Sequence, residues 1–317
     1  MHRGTRTVLA VAIAAATAAL GACGTEDTAS GPATGANGKP TVCLIMKSLA
    51  NEYFQQMQKG AKDHVDQLGT LDLRTAGIQN ETDVDGQIAL VDKCITQRVQ
   101  AIVIAPADSK ALVQSVVKAS KAGIKVVNID VALDPGALSA AGVDIPLVGP
   151  DNRAGAKQVG DVLAKAVPGG KVVILEGNPG ADNALQRKNG FNDTVAEAKL
   201  TLLDSKTAHW ETDEAYTVFG NMLTAHPDIQ GVLASNDSMA LGVIKVIQER
   251  SANVKVVSID NIPAVKPFLQ NGPMLATLDQ YGSEQAGDGI DVAMKLISGQ
   301  AVTGWQKTRM NVVTAGA

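Results

Sequence analysis

From Thr41 onward, short apolar runs alternate with longer stretches in which apolar residues recur every three or four positions. The runs at 42–46, 101–105, 125–129, 171–175, 231–234 and 255–259 read as buried strands. The stretches 52–67, 108–121, 152–166 and 237–249 read as amphipathic helices, rich in Ala, Lys, Gln and Leu. Strict strand–helix alternation predicts an α/β fold with parallel sheets.

The alternation is also duplicated. Lys125-Val-Val-Asn-Ile-Asp130 returns as Lys255-Val-Val-Ser-Ile-Asp260. Upstream of each, Asp108-Ser-Lys-Ala-Leu112 is matched by Asp237-Ser-Met-Ala-Leu241 at almost the same distance. Two matches in register predict two lobes of similar βαβ construction. Ligands of open parallel sheets bind beyond the carboxyl ends of the strands. Asp130 and Asp260 stand at such ends, so facing lobes would point both carboxylates into one cleft.

The amino terminus has a different character. Arg3 and Arg6 precede an uncharged run from Val8 to Leu20, which closes on Leu20-Gly21-Ala22-Cys23. The run is shorter than the roughly 20 residues of a spanning helix, and it reads as an export signal over 1–22. The ending resembles a bacterial lipobox, which makes Cys23 the expected lipid anchor at the outer face of the membrane or in the periplasm. Residues 23–40, rich in Gly, Ala, Thr and Ser, form a flexible tether. Cys43 and Cys94 remain for the folded body, either as a disulfide or as two separately buried thiols. With four His and none at ligand spacing, no metal is expected. A net charge of -4 offers no field for nucleic acid.

Aromatics make up only 3% of the chain, so their positions carry weight. Tyr53 and Phe54 follow the first strand, and Trp210 lies in a polar loop. Aromatic faces suit the C–H side of a sugar, while carboxylates take its hydroxyls.

Beyond these residues, the chain from about Thr41 resembles the exported pentose- and hexose-binding proteins of ABC importers, the group typified by ribose-binding protein. The resemblance is carried by Asn51-Glu-Tyr-Phe54, Asp130, Asp151-Asn152 and Arg187-Lys-Asn-Gly-Phe191. It extends through Leu223-Thr-Ala-His-Pro-Asp228, Ala234-Ser-Asn-Asp-Ser-Met-Ala-Leu-Gly242, Ile259-Asp260 and Ala276-Thr-Leu-Asp-Gln280. It implies two similar Rossmann-like lobes joined by a three-segment hinge, with crossings near 148–151, 279–282 and 304–310. The first lobe would comprise 41–149 plus 281–308, and the second 150–280 plus 309–317. By the same resemblance, ligand contacts fall on Asn51, Tyr53, Phe54, Asp130, Trp210, Asn236, Asp260 and Gln280. Phe54 and Trp210 form the stacking pair, and Lys47 is a further contact used by some relatives.

Two departures matter. The arginines of the ribose-binding pattern are replaced by Val131 and Leu185. Without their guanidinium forks, apolar walls are expected and ribose is disfavoured. A neutral polyol or monosaccharide is expected instead, with a four- or five-carbon polyol preferred. Asn183 would supply part of the lost polarity, while Arg187 reads as a structural ion-pair partner. No cofactor is implied. The expected partners are an ABC permease and the membrane, with the protein itself monomeric.

One other class fits equally, and the rest fit less well. A sensory binding protein presenting its closed form to a receptor shares every feature named so far. A regulator would need a helix-turn-helix where the export signal stands. A dinucleotide enzyme would need glycines in the loop after the first strand, and residues 47–54 contain none. Asp130 and Asp260 could serve a glycoside-processing enzyme, but nothing marks either as an acid held beside a scissile bond.

Overall fold

The computed structural model describes residues 1–2 and 38–315. The expected export signal, the Cys23 anchor and nearly all of the tether lie outside the described residues. The first half of the fold runs β1 (Thr41–Ser48), α1 (Glu52–Leu68), β2 (Asp72–Ile78), α2 (Val84–Thr96) and β3 (Ala101–Ile104). It continues with α3 (Val113–Lys121), β4 (Lys125–Ile129), α4 (Pro135–Ala140) and β5 (Leu147–Gly149).

The second half repeats the scheme with α5 (Asn152–Ala166), β6 (Lys171–Glu176), α6 (Asp182–Glu197), β7 (Thr201–Thr207) and α7 (Thr212–Ala225). There follow β8 (Gly231–Ala234), α8 (Asp237–Glu249), β9 (Lys255–Ile259), α9 (Lys266–Asn271) and β10 (Met274–Asp279). Helix α10 (Gly282–Ile297) and the short strands β11 (Trp305–Lys307) and β12 (Asn311–Thr314) complete the chain.

The strands form two six-stranded sheets, ordered β2-β1-β3-β4-β5-β11 and β7-β6-β8-β9-β10-β12. Their first five strands correspond one to one, so the duplicated sequence is a duplicated sheet. Every residue of β1 is buried, as in a central strand covered on both faces. The edges differ: β11 runs parallel to β5, whereas β12 runs antiparallel to β10. The fold is therefore two parallel-dominated α/β lobes. The chain passes between them three times, after β5, after β10 and between β11 and β12. Helix α10 returns to the first lobe and packs on α1, β3 and β4.

Local signals set the element ends. Helix α1 buries Tyr53, Phe54, Met57, Ala61 and Val65 along one face. It starts where the Asn51 side chain accepts the Tyr53 N–H and stops at Gly69, whose φ of 61° only glycine adopts readily. The helix expected from 108 begins instead at Val113. Asp108 Oδ1 accepts the N–H groups of Lys110 and Ala111, both at 2.8 Å, and holds the segment in a turn. Cys43 on β1 and Cys94 on α2 are joined by a disulfide, with Cα atoms 6.4 Å apart. It ties the central strand of the first lobe to a covering helix.

Candidate binding cleft

The carboxyl ends of β1, β4, β6, β8 and β9 converge on a small cavity between the lobes. The first lobe supplies Lys47, Asn51, Tyr53, Phe54, Glu81 and Asp130. The second supplies Asn183, Arg187, Trp210, Asn236 and Asp260. Apart from Asn51, none of these residues is more than 7% exposed, so the lobes stand closed over the cavity.

Tight backbone geometry aims the key side chains. Asp130 and Asp260, the duplicated strand ends, have φ of 64° and 127°. His209 and Trp210 are consecutive residues at 46° and 72°. Positive φ at non-glycine residues costs free energy, and it concentrates where function requires a side chain in one place. The Trp210 ring rests on Gly177, where any Cβ would lie about 2.1 Å from the indole. Glycine at 177 makes the seat.

Six ionisable side chains share this small space. Lys47 Nζ pairs with Glu81 at 3.0 Å and sits 5.6 Å from the Phe54 ring centroid and 4.9 Å from that of Trp210. Tyr53 OH reaches Asp130 Oδ1 at 3.5 Å. Arg187 donates to Asn152 Oδ1 at 2.8 Å, to the Ser235 carbonyl at 2.8 Å and to Gln280 Oε1 at 2.9 Å. Its guanidinium is 3.7 Å from Asp260 and 5.4 Å from the Trp210 ring centroid. Burial raises the Asp130 carboxyl above the usual carboxylate range, with the charges of Lys47 and Arg187 pulling it back. Burial lifts Asp260 further still; Arg187 opposes the rise, and Asp237 and Asp130 add to it. Glu81 is raised by burial against the pull of Lys47.

Most of the residues picked from the sequence meet in this cavity, with adjusted roles. The oxygens of Asn51 and Asn236 cap α1 and α8 by accepting the N–H of Tyr53 and Met239. Their amide NH2 groups remain, held only by long contacts of 3.5 Å to Glu81 and 3.4 Å to the Trp210 carbonyl. Gln280 is buried behind the lining, donating to Asp260 at 2.7 Å and accepting from Arg187. It orients the two charged groups that do line the cavity.

Val131 and Leu185 do not form the expected apolar walls. Val131 is fully buried in the cluster that also holds Tyr53, Phe54 and Trp210 but is not among the residues lining the cavity, and Leu185 is 53% exposed, turned outward on α6. In α6 the residues one and two positions before Arg187 point away from the cavity while Asn183 and Arg187, one turn apart, point in. Two lining residues escaped the sequence reading. Glu81 lies in a loop with no motif around it, and Arg187 was assigned to structure alone. A lysine in a pocket requires a buried counter-charge, and that requirement is the one sequence signal for Glu81.

Asn183 Oδ1 and Trp210 Nε1 are buried polar atoms with no partner among the described residues. No group of three or more His, Cys, Asp or Glu able to hold a metal occurs among the described residues. A closed, polar cavity with aromatic faces, built from two lobes on a three-stranded hinge, defines a solute-binding protein.

The particular family follows from comparison with known proteins. Residues 42–301 match the family described as periplasmic binding protein domain, and the chain belongs to it. It is a binding protein and not an enzyme. It is 46% identical to the D-ribose/D-allose-binding protein of Pseudomonas aeruginosa, across 87% of this chain and 89% of that one. The ribose import binding protein of Escherichia coli is 31% identical, across 83% and 87%. Among solved structures, an ABC transporter solute-binding protein from Burkholderia multivorans superposes with a TM-score of 0.85 at 45% identity, across 87% of this chain and 100% of that one. It carries a ligand of unknown identity built as α-D-erythrofuranose. A second, from Actinobacillus succinogenes with bound D-allose, gives 0.83 at 37% identity, across 87% and 98%.

Proposed function

We propose that this protein is the exported receptor of an ABC importer, closing its two lobes on a small neutral monosaccharide or polyol and delivering it to the permease. The observation that carries the reading is the cavity, walled by Phe54 and Trp210 and lined by carboxylates, amides and two cations. Its carboxylates accept hydroxyl hydrogens, while Lys47, Arg187 and the NH2 groups of Asn51 and Asn236 donate. Contacts are assigned to Asn51, Tyr53, Phe54, Asp130, Asn183, Trp210, Asn236, Asp260, Lys47, Glu81 and Arg187, with Gln280 in support.

The sequence-based preference for a four- or five-carbon polyol loses its ground. The argument against ribose falls, because it rested on walls that Val131 and Leu185 do not provide. Relatives named for ribose and allose add weight to ribose itself. The first lobe is assigned 41–149 plus 281–308, the second 150–280 plus 309–317, and the protein is assigned as a monomer anchored through acylated Cys23.

A thermal-shift screen against ribose, allose, arabinose, erythritol, xylitol, amino acids and nucleotides tests the solute class. A ligand at about 100 times its Kd stabilises by roughly 2.7 kcal/mol. Stabilisation by amino acids alone, with every sugar and polyol silent, overturns the reading. For the anchor, Cys23→Ala should abolish lipid labelling and release the protein from the membrane fraction.

A further inference from the structure

Helix α6 carries two cavity residues, Asn183 and Arg187, but begins after Ala181, which has no side-chain acceptor to cap it. The cap comes from the other lobe. Ser109 Oγ, in the turn between β3 and α3, accepts the Asp182 N–H at 2.8 Å. The Ser109 N–H donates to the Gly180 carbonyl at 2.9 Å, and the Ser109 carbonyl accepts the Asp134 N–H at 2.8 Å. All three polar groups of this buried serine are therefore engaged, two of them across the cleft.

Beside it, a Cβ at Gly180 would lie 2.0 Å from Asp108 Oδ2. The Asp108 carboxylate has little freedom to yield, since its other oxygen holds the N–H groups of Lys110 and Ala111. The lobes come this close only because residue 180 has no side chain.

We propose that Asp108 and Ser109 of the first lobe and Gly180 and Asp182 of the second form an interlobe latch, in which Ser109 caps α6 in trans and so couples closure to the placement of Asn183 and Arg187. The latch rests on the hinge-closure reading and touches no solute. With the lobes apart, water satisfies the same groups, so the bonds act only on the balance between open and closed forms. Ser109 is a positioning residue.

The test uses the exported chain carrying Ser109→Ala, Ser109→Thr, Gly180→Ala or the double change Asp108→Ala with Gly180→Ala. Each is titrated with D-ribose and D-allose and measured by small-angle scattering with and without sugar. Loss of the serine cap should weaken binding about fivefold, and the threonine variant should retain it. Gly180→Ala should weaken binding about tenfold or more and leave the protein expanded at saturating sugar. The double change should recover affinity and compaction. Gly180→Ala with wild-type affinity and radius, or a double variant no better than Gly180→Ala alone, overturns the latch. A wild type that binds neither sugar removes the sugar reading only. The latch is then judged on sugar-free scattering, where Gly180→Ala must be more expanded than wild type and equal radii overturn it.

Discussion

The two copies of Asp-Ser-x-Ala-Leu began as one pattern and serve opposite ends. In the second lobe the pentad follows Asn236, whose side chain caps α8, so the helix starts at once with Asp237. The Asp237 carboxylate is then free to turn inward. It accepts from Thr277 Oγ1 at 2.8 Å, from the Ile262 N–H at 2.9 Å and from Ser258 Oγ, bracing the loop that carries Asp260. In the first lobe the pentad follows Ala107, which cannot cap. Asp108 must satisfy its own turn, the helix is delayed to Val113, and Ser109 faces the other lobe. A single preceding residue decides whether the motif braces its own lobe or reaches across the cleft.

The largest expected effect breaks the second lobe's share of the site. Arg187→Met removes a guanidinium that joins Asn152, Ser235, Gln280 and Asp260, and leaves a buried carboxylate uncompensated. Loss of one partner of such a pair costs about 3–5 kcal/mol. Titration should show sugar binding abolished, together with a lower melting temperature.

Next comes a change confined to the first lobe. Cys43 and Cys94 are 51 residues apart in sequence, and closing a loop of that length contributes about 4 kcal/mol in the chain-entropy account. Denaturant unfolding of Cys43→Ala with Cys94→Ala should show that lobe melting early, with the second lobe little altered. Coincident loss of both lobes would mean they unfold as one unit.

Smaller again are the duplicated aspartates. Asp130→Ala and Asp260→Ala should each weaken binding by about 1.5–3 kcal/mol by calorimetry. Only Asp260→Ala should also lower the melting temperature of sugar-free protein, because it strands Arg187, whereas Asp130 has Tyr53 as its hydrogen-bond partner. Equal melting temperatures would show the two strand ends to be energetically alike.

The smallest effect is on a slope. Burial raises the Asp237 carboxyl to about 7, against the pull of hydrogen bonds from Ser258, Ile262, Thr277 and Asn261. A raised carboxyl stabilises the fold below its unfolded value of about 4, and that contribution is lost as pH rises through about 7. Asp237→Asn, which cannot ionise, should therefore lose less stability than wild type between pH 4.5 and pH 8. Parallel melting curves across that range would show the carboxylate ionised throughout.

Strand and helix identities were legible because apolar periodicity and duplication both reported them. The strands at Lys125–Ile129, Gly231–Ala234 and Lys255–Ile259 and the helices at Asn152–Ala166 and Asp237–Glu249 lie where the pattern puts them. The start of α3 was not legible, since the competing turn at Asp108 depends on two backbone groups that a helical pattern also uses. In the cleft, positions at strand ends and helix caps could be read, for topology alone brings them together. Leu185 could not, because its neighbour Arg187 points inward and helix phase separates them. Glu81 could not either, as its place is fixed by Lys47 and Glu211, which lie in distant segments.

Helix α10 gives the molecule an order of assembly. It belongs to the first lobe yet is translated after all of the second but its edge strand, and its partners α1, β3 and β4 must wait for it. The second lobe can gather nearly all its strands from one uninterrupted stretch, lacking only the edge strand β12. Long-range closure is slow because its chain-entropy cost comes before its contacts are made. The half of the protein that leaves the ribosome first is thus the half whose core is finished last, and it waits with one side of α1 uncovered until α10 arrives.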